Sequence, residues 1–314
     1  MNGKMKIVVT GGLGHIGSKL IVDLAERKDI SEILIFDDLS TQRYCSLMQL
    51  PTNVKYTFVE GDIRKEGDVK NAVNGADIII HLAAITNAPE TIKYPELTKE
   101  INYDAVKVIL KIAKETGVKK FFFPSTTSVY GPATGLVDEN YKDYKPLTPY
   151  AEYKLLAEKE VINANGNMKT CVARLGTIYG YSIGMRFHTA VNKFVFQAIH
   201  KEPLTVWEDA LDQKRSYLDL RDSTRFVNFF IDNNDDKFFG EVYNVLTENA
   251  TVRNVVDIIK KYIPDVEIKM TKSPIINQAS YEVSREKVEK QGFEFEGNMD
   301  RGIKETIEAF RAFL

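Results

Sequence analysis

The sequence predicts an α/β fold, a doubly wound parallel sheet followed by a smaller C-terminal α/β region that binds the substrate. Three observations carry this. Apolar strand-like runs alternate with helix-periodic segments from residue 5 to residue 174, a glycine-rich turn joins the first run to the first helix, and from Gly176 onward the elements shorten and lose regularity. Alternation of this kind implies parallel strands joined by crossover helices, with ligands bound beyond the carboxyl ends of the strands. The expected division is 1–175, with 216–247 returning to it, and 176–314.

Residues 5–10 form an apolar run ending at Gly11-Gly12, the signal of a buried strand. Ile16, Leu20, Ile21 and Leu24 then fall on one helical face. Further strands are expected at 31–36, 54–59, 78–80, 121–125 and 170–174, with helices ending near Val73, over 96–116 and over 149–163. Gly117 stops the second of these helices, and Pro149 opens the third at a position where proline is tolerated. Beyond 176–184, which reads as loop, helices are expected at 187–200, 222–232, 252–262 and 300–313, with strands at 204–207 and 242–246.

The turn between the first strand and helix is the most specific local feature. Gly11, Gly14 and Gly17 recur at three-residue intervals, and Gly12, Gly14 and Gly17 also match the Rossmann dinucleotide spacing. A pyrophosphate site needs a tight turn, a backbone that approaches closely, and a helix N-terminus with free N–H groups, here those of His15, Ile16 and Gly17. Asp37 ends the second strand 20 residues past Gly17, where a carboxylate accepts the adenosine ribose hydroxyls. That favours NAD over NADP, although Arg43 in the next loop leaves NADP open. The plain alternative is a solvated acidic turn.

Composition narrows the class. A chain of 314 residues buries a sizeable core, and a net charge of −2 with interspersed lysines and glutamates argues against a nucleic-acid surface. Two cysteines, Cys45 and Cys171, make no disulfide framework, and four scattered histidines give little support to a metal site. No secretory signal or membrane-length apolar run is evident, so a soluble cytoplasmic protein is expected.

Tyr150 and Lys154 lie four residues apart on one helix face, where an ammonium stabilises a phenolate and brings the phenol toward the working pH of a general base. The same spacing occurs at Tyr103/Lys107 and Tyr141/Lys145. Lys145 precedes Pro146, which disfavours helix, and Tyr103/Lys107 lacks an upstream hydroxyl cluster. Only Tyr150/Lys154 follows a strand ending in Ser125-Thr126-Thr127-Ser128. Thr126 is the expected partner for the substrate oxygen, against the plainer reading that these hydroxyls satisfy a turn.

Together these motifs resemble the extended short-chain dehydrogenase/reductase superfamily, in its NAD-dependent nucleotide-sugar epimerase and dehydratase branch, over essentially the whole chain. The matching stretches are TGGLGHIG at 10–17, GDI at 61–63, HLAA at 81–84, Asn102, STTSVYG at 125–131, and Tyr150/Lys154. The resemblance implies cofactor contacts from Asp62, Ile63, Leu82, Ala83, Ala84 and Lys154, and a catalytic set of Thr126, Tyr150 and Lys154. The later stretch through MRF resembles one sub-branch, implying a nucleotide-sugar pocket with Thr86, Thr177, Arg186, Asn192, Arg215 and Tyr217.

Three departures stand out. Dehydratases of this branch place Asp-Glu after the catalytic Thr, where this chain has Thr127 and Ser128; most epimerases place Asn at Thr177; and Ala279 stands two residues before Tyr281, where an arginine is common. The implied activity is 4-epimerisation of a nucleotide sugar with NAD recycled internally. A 4-dehydrogenase or 4-ketoreductase shares the first half-reaction, and a catalytically silent NAD-binding protein is the remaining alternative. The resemblance also implies a homodimer packed through helices 96–116 and 149–163.

Overall fold

The computed structural model describes residues 4–272 and 280–313. Its centre is a sheet of seven strands: β1 (Met5–Thr10), β2 (Ile30–Asp37), β3 (Lys55–Glu60), β4 (Ile78–His81), β5 (Lys120–Thr126), β6 (Lys169–Leu175) and β7 (Glu241–Val245). The order is β7-β6-β5-β4-β1-β2-β3, and every pairing is parallel. The chain winds outward from β1 to β3 and then crosses to β4 on the other side of β1. A crevice is left at that reversal, at the carboxyl ends of β1 and β4.

The near-continuous apolar runs follow from cover on both faces. Ile7 and Val9 of β1 pack toward α1 (His15–Ala25), with Leu20, Ile21, Phe226 and Phe230 in the same core. Val8, between them, joins the opposite core with Val69, Ile109, Phe121, Phe123 and Val161. These come from α2 (Glu66–Val73), α3 (Ala105–Glu115), β5 and α4 (Pro149–Asn163).

The helix expected over 96–116 is broken. Pro95–Lys99 is joined to α3 by a π-helical turn, Glu100–Asp104. Within that turn buried Asn102 donates to the Ile85 carbonyl (2.8 Å) and accepts from the Ile85 amide (2.9 Å), clamping the loop that leaves β4.

The stretch read as loop from Gly176 contains a strand, Thr177–Tyr179, which pairs in parallel with Lys214–Asp219. Glu248–Thr251 completes this three-stranded sheet on the other edge. Neither partner strand is within thirty residues of the first, so pairing rather than local pattern makes Thr177–Tyr179 extended. A third apolar cluster is built by α5 (Ala190–Ile199), α7 (Val252–Tyr262) and α8 (Met299–Ala309), including Val195, Ile259 and Ile303, while α6 (Leu220–Asp232) stays with the central sheet. The helix expected from residue 187 starts at Ala190, and Arg186 and His188 ahead of it line the crevice. The last helix ends at Ala309 rather than 313.

Candidate active site

A cleft of about 560 Å³ opens over the carboxyl ends of β1 and β4, within the size range of small-molecule sites. Gly11, Gly14, His15, Ile16, Gly17, Asp37, Asp62, Ile63, Leu82, Ala83, Ala84, Thr86 and Arg186 all line it. Thr126, Tyr150, Lys154, Thr177, Asn192, Arg215 and Tyr217 do not. Thr91, Thr98, Ile101, Arg43 and His188 line it without having been singled out as contacts; Thr91 and His188 carry no local motif that marks them.

The floor is backbone. Gly11 has φ +63°, and a Cβ there would lie 2.7 Å from the Ala83 amide nitrogen; a Cβ on Gly17 would lie 2.6 Å from Gly12 Cα. Only glycine lets the turn and the start of α1 close this tightly. Gly14 occupies the N-cap of α1 and has no side chain to satisfy the first-turn amides. Those amides and the positive end of the helix are left for an anion.

Asp37 is held rather than free. Oδ2 accepts from the Leu13 amide (3.1 Å) and Oδ1 from the Leu39 amide (3.0 Å). Burial pushes its carboxyl up, and the backbone donors and Arg43 oppose this. Asp62 pairs with Arg64 (2.7 Å), which holds its carboxyl down.

The chemistry sits at the end of β5. Thr126 Oγ1 accepts from the Ser128 amide at 3.1 Å, so the hydroxyl's own hydrogen is free to donate, and it meets the Tyr150 phenol. Thr148 caps α4 by accepting from the Ala151 amide (3.3 Å), Pro149 follows, and the Tyr150 amide donates to Thr91 Oγ1 (3.3 Å) at the cleft wall. Burial pushes the Tyr150 phenol up, opposed by Arg186 and then by the Thr126 hydrogen bond.

Lys154 stands one turn along α4 from Tyr150. Its buried Nζ donates to the Pro124 carbonyl (2.9 Å) and lies 4.5 Å from the Phe123 ring centre. Burial lowers its pKa to about 7, opposed by the Glu158 carboxylate, and the Arg186 guanidinium favours the ionised Tyr150 phenol. One bonded carbonyl leaves two ammonium hydrogens for other partners.

Arg186 reaches the cleft on a strap that docks on the glycine turn. His15 Nε2 donates to the Gly180 carbonyl (2.8 Å), Ser182 Oγ donates to the His15 carbonyl (2.8 Å), and the Gly184 amide donates to Ser18 Oγ (3.1 Å). A Cβ on Gly184 would lie 2.3 Å from the Leu13 carbonyl oxygen. Asn192 is fully buried and spends both ends of its carboxamide here, accepting from Gly180 (3.2 Å) and donating to the Arg186 carbonyl (3.1 Å). It acts on the cleft through Arg186 rather than by lining it. Arg186 Nε is itself buried with no hydrogen-bond partner.

The remaining predicted substrate residues stand in the small sheet. Thr177 pairs with Tyr217 across it, and Arg215 donates to the Lys214 carbonyl (2.8 Å) and to Gln213. Thr127 Oγ1 bonds Ser216 Oγ (2.8 Å), and Tyr281 Oη donates to the Thr127 carbonyl (3.0 Å). Position 127 therefore faces this sheet. Ala279 lies outside the described residues. Among the described residues no group of three His, Cys, Asp or Glu gathers as a metal site, and no helix is long and apolar enough to cross a membrane.

Residues 7–245 match the model of the NAD dependent epimerase/dehydratase family. The chain belongs to this family. It is 29% identical over 266 residues, 82% of this chain and 81% of the relative, to an uncharacterized UDP-glucose epimerase, YtcB, of Bacillus subtilis. It is 26% identical over 326 residues to the mouse dTDP-D-glucose 4,6-dehydratase, covering 98% of this chain and 88% of that one. In structure it is similar to the UDP-glucuronic acid 4-epimerase of Bacillus cereus in complex with UDP-glucuronic acid and NAD, with a TM-score of 0.89, 23% identity, and 99% and 100% of the two chains covered. That likeness shows the fold, a Rossmann-type α/β architecture over essentially the whole chain. The family is one of NAD-dependent enzymes, and the glycine turn, the open helix N-terminus and the cleft-lining Asp37 fit that cofactor.

Proposed function

We propose that the protein is an NAD-dependent nucleotide-sugar 4-epimerase, acting on a UDP-hexose or its uronic acid through a transient 4-keto sugar. The observation that carries this reading is the meeting of Tyr150 and Thr126 beside a cleft lined by dinucleotide-binding residues. The Gly11–Gly17 turn, Asp37, Asp62, Ile63 and Leu82–Ala84 would hold NAD, and Lys154 has hydrogens to offer its nicotinamide ribose. NAD, when bound, would accept the C4 hydride and give it back to the other face of the ketone.

Tyr150 takes the proton of the sugar 4-hydroxyl, and Thr126 donates a hydrogen bond to the same oxygen or to the phenolate. Arg186 opposes the cost of burying that phenolate. For inversion the ketone turns its other face and Tyr150 returns the proton. Water elimination next to the ketone needs an added acid and base. Thr127 is turned to Ser216 and neither it nor Ser128 carries a carboxyl, which separates this chain from the dehydratases of the family.

The test is to denature the purified protein, identify the nucleotide released, and incubate intact protein with UDP-glucose and UDP-glucuronic acid while following the reduced-nicotinamide absorbance and the sugar stereochemistry. Retained NAD with a C4 epimer formed and no net reduction supports the reading. Stoichiometric NADH or a released ketone overturns it in favour of a dehydrogenase.

A further inference from the structure

Tyr150, Lys154 and Glu158 follow one another at four-residue steps and so share one face of α4. That face runs along three consecutive residues at the end of β5. Tyr150 meets Thr126, Lys154 Nζ bonds the Pro124 carbonyl at 2.9 Å, and Glu158 Oε1 accepts from Ser125 Oγ at 2.5 Å. Glu158 also receives a forked guanidinium from Arg174 of β6, Nε to Oε1 at 2.9 Å and Nη2 to Oε2 at 2.7 Å. Both members of this pair are buried. Arg174 spends its other donors on Tyr130 Oη (3.1 Å) and Tyr144 Oη (3.0 Å), and Tyr130 Oη donates to Asn244 (2.7 Å).

A buried ion pair is a poor device for stability alone, because desolvation cancels much of the attraction and apolar residues of the same volume serve as well. This pair sits one helical turn from Lys154, and Glu158 is the carboxylate whose field opposes the burial of that ammonium. The other charged or titratable groups around the centre are His81 of β4, held neutral by burial; Tyr150 with Arg186; and Arg174 with its two tyrosines.

We propose that Glu158 is a positioning residue of the reaction centre: it gives Lys154 its counter-charge and, through Ser125, fixes the strand end that carries Thr126. The proposal rests on the reading of Tyr150, Thr126 and Lys154 as the reacting group set. Its sign is defined. Glu158 favours the protonated Lys154, so removing its charge makes Lys154 lose its proton at lower pH.

The test compares wild type with Glu158→Gln and Glu158→Asp, using two readouts on the cofactor-loaded protein: the titration of Lys154 by lysine-selective NMR, and the pH profile of kcat/KM. In Glu158→Gln both the titration and the alkaline limb of activity move to lower pH by about one unit, so that activity falls up to about tenfold more on the alkaline side than on the acid side, and Glu158→Asp restores most of the shift. If Glu158→Gln does not fold, Glu158→Gln/Arg174→Gln removes both buried charges and is read in the same way, with a smaller shift in the same direction. Uniformly lowered activity at every pH with an unmoved Lys154 titration would reduce Glu158 to packing and overturn the proposal. A moved titration with an unmoved activity profile overturns its link to catalysis. Turnover surviving in Tyr150→Phe is the separate failure of the functional reading, and it leaves the NMR shift intact.

Discussion

Two helix N-termini bracket the reaction centre, and they are finished in opposite ways. Helix α1 begins at Gly14 with no side-chain cap, leaving its first amides open. Helix α4 begins at Thr148, whose hydroxyl takes up the Ala151 amide, with Pro149 next and no donor to offer. One helix presents backbone to the cleft and the other presents side chains. Damage should divide accordingly, α1 changes acting on cofactor retention and α4 changes on turnover.

The largest effect belongs to α4. Tyr150→Phe should lower kcat by about 10²–10⁴-fold, the usual contribution of a positioned acid/base, while NAD is still recovered from the denatured protein. Calorimetric NAD affinity together with turnover checks this, and lost NAD binding would break the division. Next comes Gly17→Ala on α1. Its Cβ meets the Gly12 backbone at 2.6 Å, so the turn must open, at about 1–3 kcal/mol by analogy with overpacked cores. NAD affinity should fall by a matching factor while the Lys154 and Tyr150 environment on α4 is unchanged by NMR.

The strap that carries Arg186 crosses between the two, and it tests how separate they are. Arg186 lowers the Tyr150 phenol, so Arg186→Gln should move the acid limb of kcat/KM to higher pH, because a base with a raised pKa becomes a phenolate only at higher pH. A profile that keeps its midpoint and loses only height would mean that Arg186 binds substrate without tuning the base.

The same contrast explains what was readable in the sequence. The glycine turn, Asp37 at a strand end and Pro149 at a helix start are short-range signals, each fixed by a local backbone requirement, and α4 spans the residues its pattern marks. Strap and small sheet depend on partners far along the chain. Thr177–Tyr179 is extended because Lys214–Asp219 lies beside it, and Arg186 reaches the cleft because Gly184 wedges against Leu13 and Asn192 ties down the strap. No periodicity in 176–192 encodes those distances. The likeness to a family pointed to Arg186, and the docking of the strap is what brings that guanidinium to the cleft. Glu158 is visible in sequence only as a third step of the Tyr150–Lys154 spacing, and its meaning needs Ser125 and Arg174 in space.

The smallest expected effect sharpens the comparison most. Gly14 has φ −72° and ψ −176°, the extended geometry of a capping residue, and a Cβ there would meet the Gly11 carbonyl oxygen at 3.3 Å, a contact that a slight shift relieves. Gly14→Ser therefore gives α1 the kind of cap that Thr148 gives α4. A serine cap differs from glycine by only a few tenths of a kcal/mol, so the cofactor-free protein should melt within a degree or two of wild type. The new hydroxyl takes up an amide that the pyrophosphate would otherwise use, so NAD affinity should fall. Thr148→Ala, in contrast, should cost about 1 kcal/mol of stability and leave NAD affinity alone. If Gly14→Ser bound NAD as tightly as wild type, the open amides of α1 would not be the anion site, and the difference between the two helix starts would be one of turn geometry alone.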